Sequence, residues 1–325
     1  MSNALKLRQK VSQKYRYGSW KYANLECAFM FKRLMSLGLL CLAFDASASI
    51  IVTTTADENG TNPSACSLRE ALAITNSSDL KAGFGGCVNP DSSTVIILTA
   101  KSTYPLNSEL IINQNVTIQS STSGGFINTT DGSDNPIVQA IGKHRILNIL
   151  ATASSTPTVA ITNVNLSGCG GSTICETQGG IIINQGLLTL SSMRIYNGVA
   201  DRGGAIYNEN IGKLTITNAE LKNNTAKEKG AAIYSIQPAF FVSKTLMREN
   251  KVENAAETGF VIDTEKNDPV VGSVAALVTS TTIYNNRATA VNIVAGVGVV
   301  SATIIGNQGG VTLNAKPNTV TTITT

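Results

Sequence analysis

The chain has 325 residues, of which 42% are hydrophobic and 5% aromatic, and its formal net charge is +4. Residues 1–48 hold eight of the 25 basic and two of the 21 acidic residues, so 17 basic and 19 acidic residues, a net charge of −2, remain in the rest. No basic patch with interleaved aromatic residues stands out in that remainder, so a nucleic acid is not expected as a partner. Gly, Thr, Asn, Ser, Ile and Val dominate, a composition typical of short strands separated by turns.

The first segment predicts export. Lys32 and Arg33 precede an apolar run at residues 34–44, and Ala46-Ser47-Ala48 has the small-x-small form that a signal peptidase accepts. As a helix this run would rise about 16 Å, about half of a bilayer core. We therefore interpret residues 30–48 as a signal peptide and expect no transmembrane segment in the mature chain. Residues 1–29 are interpreted as an upstream extension from a misplaced start, with a genuine long basic region as the alternative.

Removal of the leader takes Cys27 and Cys41 with it and leaves four cysteines. An even number in an exported chain predicts two disulfides, and among the three connectivities we favour local pairing, Cys66 with Cys87 and Cys169 with Cys175. A zinc site is the alternative. It is disfavoured because the four cysteines contain no C-x-x-C spacing and His144 is the single histidine of the chain.

Residues 49–93 are predicted to form an N-terminal cap. Ile50 opens a β-rich run, a polar turn follows, and Ser67 and Glu70 then have the spacing of a capping box. A short amphipathic α-helix is expected to follow Ser67 and to run to about Asn76. A solenoid exposes strand edges and apolar core at its first coil, so a helix laid across that end would close it.

Residues 94–325 are predicted to form a right-handed parallel β-helix, an all-β solenoid, because one unit recurs along them. The unit is an apolar residue, two spacers and an Asn, followed by a short turn and an apolar run. The Asn positions, with Gly198 in the first copy, are 26, 26, 36 and 21 residues apart, a period typical of stacked coils. About 26 residues per coil predict roughly eight coils.

Stacking places equivalent residues above one another, so the repeat predicts two ladders. The apolar ladder, inside the solenoid, is expected to contain Leu221, Met247, Ile283 and Ile304. The polar ladder is expected at a bend, where Asn tolerates unusual backbone angles and amides can hydrogen-bond along the stack. Its members are Asn224, Asn250, Asn286 and Asn307, and we interpret them as structural rather than catalytic.

Two motifs resemble known families. Cys66-Ser-Leu-Arg-Glu-Ala-Leu72 resembles the C-S-L-R-E-A signature of a family of exported bacterial proteins, and Gly203-Gly-Ala-Ile206 with the apolar-x-x-Asn units is similar to the GGAI and FxxN repeats of polymorphic outer-membrane proteins. This chain has Leu, Met or Ile where the repeat usually has Phe. The resemblance implies a β-helix at the surface of a bacterium or secreted from it, commonly linked to adhesion, and it implies no catalytic residue. Those proteins continue into a membrane barrel, whereas this sequence stops in a Thr-rich run, which favours a truncated product or an intermolecular contact.

Parallel β-helices also include polysaccharide lyases and hydrolases, so an enzyme is the alternative. Hydrolysis of a glycosidic bond needs two facing carboxylates. The acids cluster only at Asp131 to Asp134 and Asp263 to Asp268, and Arg202 beside Asp201 has the character of a solvated turn. The N-T-D, D-D, G-H-G and R-I-K motifs of such hydrolases are absent from the sequence.

The sequence therefore favours an adhesin-like binding or structural module without catalytic residues, cofactor or metal. A glycan or a host or cell-surface protein is the expected partner. A spacer that binds nothing specific is a third hypothesis. The expected location is extracellular or at the outer-membrane surface, with the periplasm as the alternative.

Overall fold

A computed structural model describes residues 49–122, 134–170, 174–209, 211–236, 239–254, 259–265, 275–294 and 297–314. All of them belong to one compact unit, Ala48–Thr325. The leader predicted at residues 1–48 lies outside the described residues.

The described residues form one helix, α1 (Leu68–Thr75), and a series of short strands. In chain order the strands are β1 (Ile50–Ile51), β2 (Val95–Leu98), β3 (Thr103–Leu106), β4 (Leu110–Ile112), β5 (Val116–Ser120), β6 (Ile137–Ala140), β7 (Leu147–Ile149), β8 (Thr158–Thr162), β9 (Asn165–Ser167), β10 (Glu176–Gln178), β11 (Ile182–Asn184), β12 (Leu187–Tyr196), β13 (Val199–Arg202), β14 (Ile206–Asn208), β15 (Lys213–Lys222), β16 (Thr225–Lys229), β17 (Ile233–Ser235), β18 (Phe240–Ser243), β19 (Leu246–Arg248), β20 (Lys251–Val252), β21 (Phe260–Thr264), β22 (Ala275–Tyr284), β23 (Thr289–Val294), β24 (Val297–Ile305) and β25 (Gly309–Asn314).

The strands build three sheets, and every pairing between them is parallel. The first sheet runs β1-β2-β5-β8-β12-β15-β18-β22, and β24 pairs with β22. The same sheet also contains β3, β6 and β9, which pair in that order and reach β12, and β19, which pairs with β15 and β22. The second is β10-β13-β16-β20 and the third is β4-β7-β11-β14-β17-β21-β23-β25. Because each sheet pairs equivalent strands of successive coils, the chain is a parallel β-helix, as predicted. Right-handed winding stays the expectation, since crossovers between parallel strands are almost always right-handed.

One aliphatic ladder runs the length of the first sheet. Each member pairs with the next in register and is at most 3% exposed: Ile50, Ile96, Ile118, Ile161, Leu190, Ile216, Val242, Val278 and Val300. Ile50 belongs to the cap, and from Ile96 onward eight coils contribute one member each, which agrees with the roughly eight coils expected for residues 94–325. Each fully buried aliphatic side chain contributes roughly 1.5–3 kcal/mol, so this ladder is a principal source of stability.

The four coils that contribute a strand to every sheet follow the same path. The long strand β15 bends at Asn218 (φ 54°), turns at residues 223–224 into β16, and reaches β17 through Gly230 (φ 65°). Gly203 (φ 65°) makes the same turn one coil earlier. Gly203 and Gly230 therefore make tight turns at a backbone conformation that L side chains rarely adopt.

The predicted inner ladder lies in the second half of the first sheet. Leu221 pairs with Met247, Met247 with Ile283, and Ile283 with Ile304. The first three are fully buried, whereas Ile304 in the last described coils is only partly buried.

Helix α1 packs against the first coils, on β2 and β4. Ser67 is its N-cap: the Ser67 Oγ accepts from the Glu70 N–H (3.2 Å), and the Ser67 N–H donates to Glu70 Oε2 (2.9 Å). Glu70 Oε1 accepts a further bond from the Gly60 N–H (2.8 Å), so the fully buried carboxylate also holds the preceding turn. The capping box thus orders the cap on both sides of Ser67.

Arg69 joins the cap to the solenoid. Its guanidinium donates to both carboxylate oxygens of Asp57 (2.7 and 3.0 Å) and to the carbonyls of Ser108 and Glu109 (2.9 and 3.1 Å). Burial opposes ionisation of Asp57, but the bonds from Arg69 and from the Asn107 N–H outweigh it and hold the pKa of that carboxyl below its usual value. The side chains of the Cys-Ser-Leu-Arg-Glu-Ala motif therefore stabilise the cap and attach it to the first coils.

Both predicted disulfides form. Cys66–Cys87 fastens the start of α1 to the end of the cap and is buried at both cysteines. Cys169–Cys175 closes a short loop between β9 and β10.

We expect the two disulfides to differ in their contribution to stability. Replacing Cys66 and Cys87 together with Ala should cost about 3 kcal/mol of unfolding free energy, and replacing Cys169 and Cys175 about 2 kcal/mol, because the first closes the longer loop. Urea unfolding of the two double variants measures the difference, and a larger loss for the Cys169–Cys175 pair would contradict this entropic account.

Candidate functional site

The predicted asparagines form a continuous hydrogen-bonded column at the bend between the first and second sheets. Nδ2 of each Asn donates to Oδ1 of the next: Asn224 to Asn250 (3.0 Å), Asn250 to Asn286 (3.0 Å) and Asn286 to Asn307 (2.8 Å). Each of these acceptor oxygens also takes the backbone N–H of the donating Asn. The amides thus satisfy one another and the main chain inside the wall, which is a structural role.

The unusual backbone angles of this bend belong to the residue before each ladder position, which corrects the sequence expectation. Positive φ angles occur at Asn197 (63°), Asn223 (54°), Glu249 (58°) and Asn285 (51°). The side chain of the ladder residue points into the wall, whereas the residue before it takes the left-handed turn. The sequence signal was present, since Asn also stands at positions 197, 223 and 285.

A second polar ladder, which the sequence analysis missed, runs through the third sheet. Asn184 Nδ2 donates to Asn208 Oδ1 (2.7 Å), and Asn208 Nδ2 donates to Ser235 Oγ (3.0 Å); all three residues are fully buried. The signal that reveals it is a constant offset, because each member follows the turn glycine of its coil (Gly179, Gly203 or Gly230) by five residues.

The first polar ladder stops where the Cys169–Cys175 loop begins. Its last acceptor, Asn224 Oδ1, takes the N–H of Gly198 (3.0 Å), which has no side chain to continue the column. In the preceding coil of the chain, β9 pairs with β12 so that Ser167 lies beside Tyr196. Cys169 is therefore at the same position in its coil as Gly198. A disulfide loop therefore replaces the Asn bend in that coil.

A groove of about 250 Å³ lies on the outside of the bend. Two columns of residues from three successive coils line it: the left-handed residues Asn197, Asn223 and Glu249, and the first strand residues Val199, Thr225 and Lys251. Val199 and Thr225 are buried at its floor, while Asn223 and Glu249 are exposed at its rim. The groove therefore presents amide, hydroxyl, carboxylate and ammonium groups at the spacing of the coils, about 4.8 Å.

The outer face of the third sheet holds a cluster of aromatic and charged side chains. Tyr207 and Tyr234 pair in register with ring centroids 5.3 Å apart, and the Arg202 guanidinium lies 5.9 Å from the Tyr234 ring. Tyr234 OH donates a hydrogen bond to Glu265, and burial together with this bond raises the pKa of Tyr234. Arg202 also pairs with Glu228 (2.9 Å). Arg202 therefore ends a strand and contacts both Tyr234 and Glu228, so its interpretation as a solvated turn was wrong.

Asp263 continues this column in β21 and is only 4% exposed. Burial raises its pKa to about 6, although Asn292 Nδ2 donates to Asp263 Oδ1 (2.7 Å) and the charge of Lys229 acts in the opposite direction. Tyr207, Tyr234 and Asp263 each follow the turn glycine by four residues, so the same offset rule finds them in the sequence.

The other candidates for catalysis are separated in the structure. Asp134 forms an exposed ion pair with Lys101 (3.1 Å), and Asp131 and Asp268 lie outside the described residues. His144 is half-buried, with its ring nitrogens against the carbonyls of Leu106 (3.0 Å) and Arg145 (2.8 Å).

Among the described residues, no group of three His, Cys, Asp or Glu side chains is arranged to hold a metal ion. No helix in the described part of the chain has the length and apolar character needed to cross a membrane. Comparison with models of protein families, with curated proteins and with solved structures found no significant match.

We predict that Asn250→Ala destabilises the fold by about 3 kcal/mol or more. The substitution removes the acceptor of two Asn224 bonds and the donor to Asn286 and to the Leu221 carbonyl, in a place that water does not reach. Asn307→Ala is the matched control: Asn307 is half-buried, so a loss of about 1 kcal/mol is expected there. Equal losses in urea unfolding would show that the column does not act as a buried network.

Asp263 should make the fold less stable as the pH rises from about 4 to about 6. Its pKa is higher in the native state than in the unfolded chain, so the native state binds more protons in this interval and loses stability as they dissociate. The total is about 3 kcal/mol at about 1.4 kcal/mol per pH unit. Asp263→Asn should remove this slope and be more stable than the wild type at pH 7.

The measurement is the unfolding free energy against pH for the wild type, Asp263→Asn and the exposed control Asp134→Asn. A slope that persists in Asp263→Asn would contradict the assignment.

Proposed function

We propose that the protein is exported and acts, at the cell surface or after secretion, as an adhesin-like binding module built on its β-helix. The observation that carries the proposal is the groove, in which three successive coils present a polar surface on a scaffold held by ladders of buried hydrogen bonds. A rigid scaffold lowers the ordering cost of binding, so a shallow polar surface can bind usefully.

Two further features support this proposal. Two disulfides are expected to persist only in an oxidising compartment, which agrees with a signal peptide at residues 30–48. The Cys-Ser-Leu-Arg-Glu-Ala motif and the Gly-Gly-Ala-Ile repeat resemble families of surface-exposed bacterial proteins, so the expected partner is a glycan or a cell-surface protein.

One observation favours a second candidate, a glycan-cleaving enzyme of the lyase or hydrolase class. Asp263 is buried and its pKa is raised to about 6, a combination found in carboxyl groups that donate protons in catalysis. Glu265 lies two residues further along, bound to Tyr234. In this candidate Asp263 would be the acid and the outer face of the third sheet the active surface.

The test is to express the full chain in an exporting bacterial host, locate it by cell fractionation and sequence its N-terminus. We expect cleavage after Ala48, oxidised cysteines, and saturable binding of the recovered protein to intact cells or immobilised glycans. An unprocessed protein that remains in the cytoplasm, or one that binds neither, would overturn the proposal.

The enzyme candidate is tested on the same preparation by the release of reducing ends or unsaturated products from neutral and polyanionic glycans. Turnover that Asp263→Asn abolishes would replace the binding module with the enzyme, and binding without turnover would reject the enzyme.

A further inference from the structure

We infer that the groove at the Asn bend is a binding site for a neutral, hydroxyl-rich oligosaccharide strand that runs along the solenoid axis. The inference rests on the proposed function and deepens it by assigning the site and the chemical class of the ligand. For reference we call the six lining residues Asn197, Val199, Asn223, Thr225, Glu249 and Lys251 the bend groove.

The shape of the bend groove indicates an extended ligand. Val199 pairs with Thr225, and Thr225 with Lys251, so the lining residues repeat once per coil in register. Three coils span about 10 Å, the reach of a short polymer segment rather than of one compact molecule. The loop closed by Cys169–Cys175 lies at one end, where the Gly170 N–H donates to the carbonyl of Asn197 (3.1 Å).

The main chain of the bend groove is already engaged, so recognition depends on side chains. The N–H groups of Asn197 and Asn223 donate to the carbonyls of Lys222 and Arg248 (both 3.3 Å). The N–H groups of Thr225 and Lys251 donate to the carbonyls of Gly198 (2.8 Å) and Asn224 (3.0 Å). A peptide could not add as a strand here, because strand addition uses unpaired main-chain groups.

The side chains of the bend groove offer both hydrogen-bond donors and acceptors. Each Asn amide and the Thr225 hydroxyl both donate and accept, Lys251 donates, and the Glu249 carboxylate accepts. Such a mixture matches sugar hydroxyls, which also do both.

The charges around the bend groove nearly cancel, which disfavours a charged ligand. Arg248 pairs with Glu220 (2.7 Å) and Glu249 (2.6 Å), Lys222 with Glu249 (3.5 Å), and Lys251 with Glu253 (2.9 Å), while Glu220 also pairs with Arg194 (2.9 Å). Four cations lie against three anions, so only a weak net field attracts a polyanion, and binding should depend little on salt.

Glycine substitutions separate this role from the backbone role of the same residues. Asn197 and Asn223 have positive φ, where Asn is common for conformational reasons alone, and Gly adopts that conformation readily. The double variant Asn197→Gly/Asn223→Gly therefore removes both amides while it preserves the turn. Asn285→Gly is the matched control: Asn285 has the same conformation (φ 51°) but does not line the groove.

The experiment measures binding of the full-length exported protein to a panel of neutral glycans (β-glucan, mannan and chitin oligosaccharides) and polyanionic glycans (heparin and polygalacturonate) at low and high salt. We expect saturable binding to a neutral member with little salt dependence. The double Gly variant should bind about tenfold or more weakly, since it loses two hydrogen bonds of about 1 kcal/mol each. Asn285→Gly should bind like the wild type, and all three proteins should unfold at the same urea midpoint within error.

Two results would overturn the inference and leave the proposed function intact: equal binding by the double Gly variant, which places the ligand elsewhere, and salt-sensitive binding to polyanionic glycans alone. Binding to cells but to no glycan would likewise reject the site's ligand class while supporting a protein partner. Binding to neither cells nor glycans would overturn both proposals.

Discussion

The whole structure depends on successive coils pairing in parallel and in register. Register makes each side chain the neighbour of its counterpart one coil away, so a residue type that suits one coil suits the stack. Aliphatic positions become the ladder from Ile50 to Val300, and polar positions become columns whose members satisfy one another. This is why asparagines can lie fully buried inside the wall: an unpaired amide there would cost its desolvation energy, whereas a stacked amide has partners above and below.

The ends and interruptions of the columns shape the outer surface. At the first coils, Arg69 joins the helix to the solenoid through the carbonyls of Ser108 and Glu109, Glu70 holds the turn at Gly60 inside the cap, and the Cys66–Cys87 disulfide fastens the cap. The Asn column ends at Gly198, which has no side chain to continue it, and the preceding coil has the Cys169–Cys175 loop at the same position. The groove lies beside this change of bend, so a local departure from the repeat is what distinguishes one stretch of the outer wall from the rest.

Much of this arrangement could be predicted from spacing alone, and the failures have two causes. The repeat located the Asn column and the inner ladder, and the cysteine count with an exported context led to the two disulfides. The left-handed conformation was assigned one residue too late, because the pattern shows which residues recur but not which of two adjacent asparagines makes the turn. Arg202 was misjudged, and the surroundings of His144 and Asp263 were not foreseen, because their partners, Glu228, the Leu106 carbonyl and Asn292, are 26 or more residues away in the chain.

The sequence by itself determined the fold class, the approximate number of coils, the capping helix and the structural role of the asparagines, because these follow from local chemistry repeated at a fixed period. Only the tertiary structure decided the second polar ladder, which is buried in the third sheet, and the outer features: the Tyr207–Tyr234–Asp263 column and the groove with its paired charges. Outward-facing residues acquire their environment from loops of variable length in other coils. No single stretch of sequence specifies which of these loops become neighbours, since that depends on how the coils stack.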